Sequence, residues 1–359
     1  MFNKGKFREV FFSECNLSDV FFDSLKQDYP GFEFWFQTKS NNGAKALVYD
    51  EDGCIKAFLY LKVDECEPIK LKNRILPAAY RIKIGTLKLS NDIQGQRLGE
   101  GAIGIALWQW QKSVCDEIYI TVFDKHNDLT ALISRYGFVK VGDKADTNEA
   151  VYIKSKARLD KSNPYRMFPY INETKIGHSG ILPIEEEYHD KMFSYSELAN
   201  TDQETGETAA ANGIDKVYVA FPRNGLAVQA GDPIFLYRKF AGQYKYFRSV
   251  VTSVCTIVDV VPVKYQGRIL LSEAEYLNVI GNKSIFSQEE LIYFYRYRQN
   301  VVVLDLLYNY FFGKGNNITN QTMVDNELWS GHPYEMILNA DEFKRVLQLA
   351  NVNFSMVVK

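Results

Sequence analysis

Cysteine is scarce and unordered in this sequence: five residues in 359, Cys15, Cys54, Cys66, Cys115 and Cys255, with no C-x-x-C pair. An odd, scattered set excludes a disulfide framework and a cysteine-built zinc site, and it predicts a reducing, cytoplasmic setting. Histidine is rarer still, at four. The spacing of His178 and His189 around Glu185, Glu186, Glu187 and Asp190 matches no metal site, so no metal is expected. Long apolar runs are missing as well: none approaches the roughly 18 residues that a membrane span needs. The N-terminal MFNKGKFREVFF lacks the apolar core of a signal peptide. Neither sign of charge dominates, with 42 Lys+Arg against 44 Asp+Glu and a net charge of −2. That excludes a global electrostatic footprint for nucleic acid. Residues 216–359, with 15 Lys+Arg against 12 Asp+Glu, are only mildly basic.

What is present describes a folded chain, 46% hydrophobic and 14% aromatic, of a length that predicts two domains. REVFF reads as a strand and LSDVFFDSLKQDYP as a helix, capped by Ser18 and stopped by Pro30. AKALVYDEDGCIKAFLYLKVDE holds two β runs around the hairpin signal Asp52-Gly53. YRIKIGTLKL alternates with period two. A helix (GEGAIGIALWQWQKSV), a strand (EIYITVF), a helix ending at Gly137 (NDLTALISRYGF) and a strand (AVYIKSK) follow. This order predicts an α/β or α+β unit over residues 1–158, a mixed sheet flanked by helices. Residues 159–212, with Pro164, Pro169, Pro183 and the polar tract ANTDQETGETAAANG, read as a connector. Within it GILPIEEEYHDKMF is expected to dock on a domain. Residues 213–359 are β-rich around Gly-Asp turns and predict a small β-barrel with helices. Asn339 is the expected cap of its last helix.

Chemistry concentrates at Leu87–Gly101, LKLSNDIQGQRLGEG. A strand enters a helix through a glycine-rich corner, which bares the first N–H groups of that helix toward an anion. Arg97 is placed to add a charge-assisted contact to a phosphate. A tight packing corner is the alternative, and the spacing fits neither the G-x-G-x-x-G nor the P-loop template.

The corner resembles the pyrophosphate loop of the GNAT acetyltransferases, Arg/Gln-x-x-Gly-x-Gly/Ala at a helix start. Gln94 takes the first position and Gly99 the last; Arg97 departs from the pattern by standing where the first glycine usually lies. The resemblance spans roughly residues 1–158, with KIGTLKL as the fourth strand, EIYITVF as the fifth, and RYGF. It implies acetyl-CoA as co-substrate in a gap between those two strands. The backbone of Leu87 and Leu89 would hold the pantetheine arm. Gln94, Gly95, Gln96, Arg97, Leu98, Gly99 and Glu100 would hold the pyrophosphate, and Asn127 would touch the cofactor or cap its helix. The tyrosine that usually protonates the leaving thiolate is replaced by Ile133, while Tyr136 is read as packing. His126 is a possible base by its pKa. Asp64, Glu65 and Glu67, after the third strand, are candidate bases for the acceptor, or else a solvated acidic loop.

The second half resembles the PUA-like group with its ASCH and EVE domains, in the turn Gly231-Asp232 leading into AVQAGDPIFLYRKF and SVVTSVCTIVDVV. That group commonly binds RNA or modified bases. Here Arg238, Lys239, Lys245 and Arg248 alternate with aromatics in YRKFAGQYKYFRS, as a stacking and phosphate-binding surface requires. A hairpin with one core face is the alternative. LIYFYRYR reads as a packing helix. Together these imply an acetyl-CoA-dependent N-acetyltransferase acting on an amine carried by nucleic acid, an aminoacyl-tRNA or a base. A protein or small-amine acetyltransferase, and a non-catalytic nucleic-acid-binding regulator, are the alternatives.

Overall fold

A computed structural model describes residues 6–51, 53–93, 95–199 and 208–359. Two compact units divide the chain, Met1–Leu159 and Asp160–Lys359. In the first, β1 (Arg8–Phe11) is followed by α1 (Asp23–Asp28) and α2 (Phe32–Asn41). Then come the hairpin of β2 (Lys45–Glu51) and β3 (Cys54–Glu65), β4 (Arg81–Leu89), α3 (Leu98–Lys112) and β5 (Glu117–Val122). Helix α4 (Asn127–Arg135) and the hairpin of β6 (Val139–Asp143) and β7 (Ala150–Ser155) close the unit. The strands form one mixed sheet in the order β1-β2-β3-β4-β5-β7-β6. Among the described residues of this unit only β4 and β5 pair in parallel, through the α3 crossover.

Side-chain alternation explains the layers. Leu59, Ile82, Ile84, Ile118 and Ile120 are buried, and α3 packs on β3, β4 and β5. Aromatics Phe12, Phe22, Phe36 and Phe58 build a second core with α2. The cap expected at Ser18 is supplied by its neighbour: the Asp19 carboxylate accepts the Phe21 N–H at 2.8 Å. The hairpin turn at Asp52 lies outside the described residues.

The second unit contains β8 (Ser179–Glu185), α5 (Glu186–Met192), β9 (Asp215–Ala220), β10 (Pro233–Lys239) and α6 (Lys245–Arg248). After these come β11 (Val250–Tyr265), α7 (Glu273–Ile280), α8 (Gln288–Tyr297), β12 (Val301–Phe311), β13 (Ile337–Leu338) and α9 (Ala340–Leu349). Asn339 caps α9 as expected, accepting the Asp341 and Glu342 N–H groups. The principal strand order is β9-β12-β11-β10-β8-β13. Two expectations change here. Among the described residues no pairing joins β9 to β13, so the sheet is open rather than a closed barrel. The stretch 159–212 is no mere connector: its strand β8 pairs in parallel with β10 along six residues, Gly180 to Glu185. Of its prolines, Pro164 opens a short helix and Pro183 sits within β8.

Candidate functional site

The sheet of the first unit parts at its centre. Strands β4 and β5 are in register from Arg81↔Glu117 to Ile84↔Ile120, and the described pairing ends there. Antiparallel pairing of β4 with β3 continues to Leu89↔Ala57. The reason is local: the register skips Gly85, with Leu61 opposite Ile84 and Tyr60 opposite Thr86. An extra residue of this kind bends its strand and raises the twist. A Cβ on Gly85 would meet the Tyr60 ring at 3.0 Å, so glycine is what lets that ring lie against the bulge.

A cavity of about 1130 Å³ opens where the strands part, lined by Gly85–Leu89 of β4 and Ile120–Val122 of β5. Its other walls include Tyr29, Trp35 and Lys39 from the α1–α2 region, with His126 and Glu149. Glu149 is 6% exposed. It accepts hydrogen bonds from Thr147 Oγ1 (2.8 Å), Thr121 Oγ1 (3.2 Å) and Tyr29 Oη (3.4 Å). Burial first, and the Glu149 charge second, push the Tyr29 phenol up to about 12. The phenol therefore stays protonated at neutral pH. A buried carboxylate surrounded by hydroxyl donors on a cavity wall can accept a proton.

The sequence expectations fare unevenly against this geometry. Leu87 and Leu89 line the cavity. Gln94 lies outside the described residues, and the lining stops at Asp92, just short of Gly95–Glu100. Gly95 has the left-handed φ of 83° that favours glycine, and among the described residues no atom beyond its chain neighbours lies within 4 Å of where a Cβ would be. The Gln96 N–H donates to the Ile93 carbonyl at 3.2 Å, tightening the corner. Gly99 serves packing: a Cβ there would lie 3.0 Å from Leu89. Leu98 is a core residue, 2% exposed. Arg97 departs from expectation. Its φ of 56° is the conformation a glycine would supply, and its guanidinium turns back onto buried Glu100. Nη2 lies 2.7 Å from Oε1, and Nε lies 3.1 Å from Oε2. Two charges only three residues apart neutralise each other, so the arginine braces the helix start.

Of the candidate bases, exposed Glu67 does not line the cavity, and its carbonyl accepts from Arg81. Asp64 and Glu65 lie at the end of β3, and their side chains fall outside the described ones. Asn127 begins α4, its carbonyl taking the Thr130 hydroxyl, while His126 lines the cavity beside it. Ile133 and Tyr136 are fully buried. In the sequence NEAVY reads as a loop entering a strand, which hides the role of Glu149.

The second unit has a cleft of about 590 Å³ walled by aromatics. Tyr237 and Trp329 lie 4.7 Å apart, Tyr188 and Phe286 4.9 Å, and Arg298 lies 4.8 Å over Phe221. Lys239 and Lys245 line it, and Lys239 pairs with Glu185 at 2.6 Å. Arg248 stacks on Phe240 at 3.8 Å. Arg238 is not on this surface. It is 4% exposed, because alternation along β10 turns it inward. There it grips Asp190 with two 2.8 Å bonds and reaches Glu186 at 3.1 Å. The buried Arg238 guanidinium and His189 hold the Asp190 carboxyl well below its usual range against the opposing cost of burial. His189 bonds Asp190 (2.9 Å) and Thr252 (2.8 Å), while His178 pairs with Asp232 at 2.6 Å. Among the described residues no cluster of His, Cys, Asp and Glu is arranged for a metal, and no helix is long and apolar enough to cross a membrane.

No family model matches this chain, and no curated protein matches it. Among solved structures it is similar to an ASCH protein from Zymomonas mobilis at 10% identity and TM-score 0.33, over 49% of this chain and 98% of that one. It is also similar to a GNAT-family acetyltransferase from Streptococcus agalactiae at 15% identity and TM-score 0.28, over 38% and 80%. A third is the PaiA N-acetyltransferase from Thermoplasma acidophilum, solved with coenzyme A, at 17% identity and TM-score 0.27, over 38% and 88%. At such identities and scores these are likenesses of fold, and they assign no residue a role.

Proposed function

We propose that the first unit transfers an acetyl group from acetyl-CoA to an amine. The observation that carries this is the parting of β4 from β5 over a large cavity that also holds a buried carboxylate. Backbone N–H and C=O groups of Gly85–Leu89 on the β5 side are available to an extended amide chain, which is what a pantetheine arm offers. The left-handed turn at Gly95 leading into the start of α3 suits the pyrophosphate. Leu87 and Leu89 would hold the arm, and Gly95–Gly99 the pyrophosphate. The thioester supplies an activated acyl carbon.

Glu149 would take the proton of the acceptor nitrogen as that nitrogen bonds to the acyl carbon. The C–S bond breaks with its electron pair passing to sulfur, which is protonated from solvent. Thr121, Thr147 and Tyr29 orient the carboxylate for this task. Most of the acceleration would come from holding amine and thioester together, so the absence of a donor at Ile133 is compatible with turnover. Calorimetric titration with acetyl-CoA tests the proposal: saturable binding at micromolar concentration is expected, and none at hundreds of micromolar overturns it.

The aromatic cleft favours a second role, association of the second unit with single-stranded RNA or DNA through stacking and through Lys239, Lys245 and Arg248. An acceptor amine on such a strand would join the two activities. Binding of a fluorescent single-stranded RNA, followed against salt, should lose about two from its logarithmic slope in K239Q/K245Q. An unchanged slope would remove this role.

A further inference from the structure

Asn320 opens a short helix, Asn320–Asp325, and forms part of the wall of the aromatic cleft in the second unit. Its place is fixed from two sides. The Asn320 backbone N–H donates to the Ser249 carbonyl at 2.9 Å, and the Thr319 hydroxyl ahead of it accepts the Thr322 N–H at 3.1 Å. The residue is 4% exposed, yet among the described residues its amide Nδ2 has no hydrogen-bond acceptor. A buried donor left without an acceptor destabilises the fold that holds it, and a ligand that supplies the acceptor removes that cost.

Polar neighbours on the same wall are already engaged. Ser249 Oγ accepts the Phe240 N–H at 3.0 Å, and Lys239 pairs with Glu185 at 2.6 Å. Tyr237 and Trp329, whose rings lie 4.7 Å apart, line the cleft together with Asn320. A flat ligand is therefore offered a ring face to stack on and a donor at its edge. Because the donor is recessed in the wall, it favours an acceptor that projects from the ligand's ring. In a nucleobase the exocyclic carbonyl does so. Uracil and guanine carry one on the edge away from the sugar, where cytosine and adenine carry an amino donor.

We infer that Asn320 reads the base: its Nδ2 donates to the exocyclic carbonyl of a keto base, uracil or guanine, stacked on the Tyr237–Trp329 wall. This deepens the nucleic-acid association proposed for the second unit and rests on it; the acetyl-transfer reading is not involved. Lys239 and Lys245 act on phosphates and carry no information about the base. Discrimination between keto and amino bases then comes from a single amide on the wall.

Fluorescent octamers of uridine and of cytidine nucleotides, equal in ring size and charge, isolate this contact. The full chain should bind the uridine octamer at least about fivefold tighter. Asn320→Leu, close in shape but without a donor, should bring the two within twofold. Asn320→Asp, which replaces the donor with an acceptor, should reverse the order, with the fold of each variant checked by circular dichroism. Where Asn320→Leu does not fold, Asn320→Asp decides alone: reversal upholds the inference and an unchanged order overturns it. Equal binding by the unaltered protein, tighter binding of cytidine, or a preference that survives in Asn320→Leu also overturns it and leaves strand association standing. Calorimetric titration with uridine and cytidine 5′-monophosphates separates the two readings from the other side. Uridine monophosphate held at least about fivefold tighter, with neither octamer bound, upholds the base subsite and removes strand association. Binding of neither octamers nor nucleotides rejects both.

Discussion

The two sheets treat their central strands in opposite ways. In the first, β4 leaves its parallel partner after Ile84. In the second, β11 is paired from Val250 to Tyr265, with β10, β12 and two short strands in turn. A parted strand offers its backbone, which recognises any extended amide regardless of side chains. The cleft of the second unit is walled instead by side chains, so recognition there would run through aromatic and basic groups. Charge follows the same division. Glu149 meets a cavity, whereas Asp190 and Arg238 meet each other.

The sharpest way to test that contrast is to remove the cavity carboxylate. Glu149→Gln should lower kcat by about 10²–10⁴-fold with acetyl-CoA affinity unchanged, as steady-state kinetics and calorimetry would report. In the second unit, Arg238→Ala removes the guanidinium that holds the buried Asp190, leaving His189 beside it. It should cost about 3–5 kcal/mol of stability, read by chemical denaturation, without altering acetyl-CoA binding. Gly85→Val attacks the parting itself. The side chain drives into Tyr60 and should cost about 1–3 kcal/mol and weaken acetyl-CoA at least tenfold.

The smallest effect concerns Asp215, Asp305 and Lys283 of the second unit, where Lys283 lies 2.9 and 3.0 Å from the two carboxylates. Burial and the neighbouring Asp215 push Asp305 up to about 7. The native state therefore binds a proton more tightly than the unfolded chain, and its stability should fall as pH rises from about 4 to 7. Asp305→Asn should flatten that fall in thermal melts across pH.

Much of this organisation was legible in the chain. Period-two alternation in YRIKIGTLKL gave β4, and the glycines gave the corner into α3. What escaped depended on distant partners. Glu149 acquires meaning only when the β5–β7 register brings Thr121 beside it. Helix α2, FEFWFQTKSN, hides its period among aromatics on several sides. The inward turn of Arg238 could not be read from YRKF, where basic and aromatic residues look equally exposed, and β8 was concealed because its partner lies more than fifty residues away.

The single extra glycine in β4 also counts residues. Before it, the even positions Ile82 and Ile84 are buried; after it, the odd positions Leu87 and Leu89 stand opposite the buried Leu59 and Ala57. Gly85 thus resets the parity of the strand. Deleting it would remove the bulge and leave Thr86–Leu89 opposite the same β3 partners, so the strand would straighten toward β5 without exchanging its faces. One residue of chain length, rather than any side chain, sets where this strand bends.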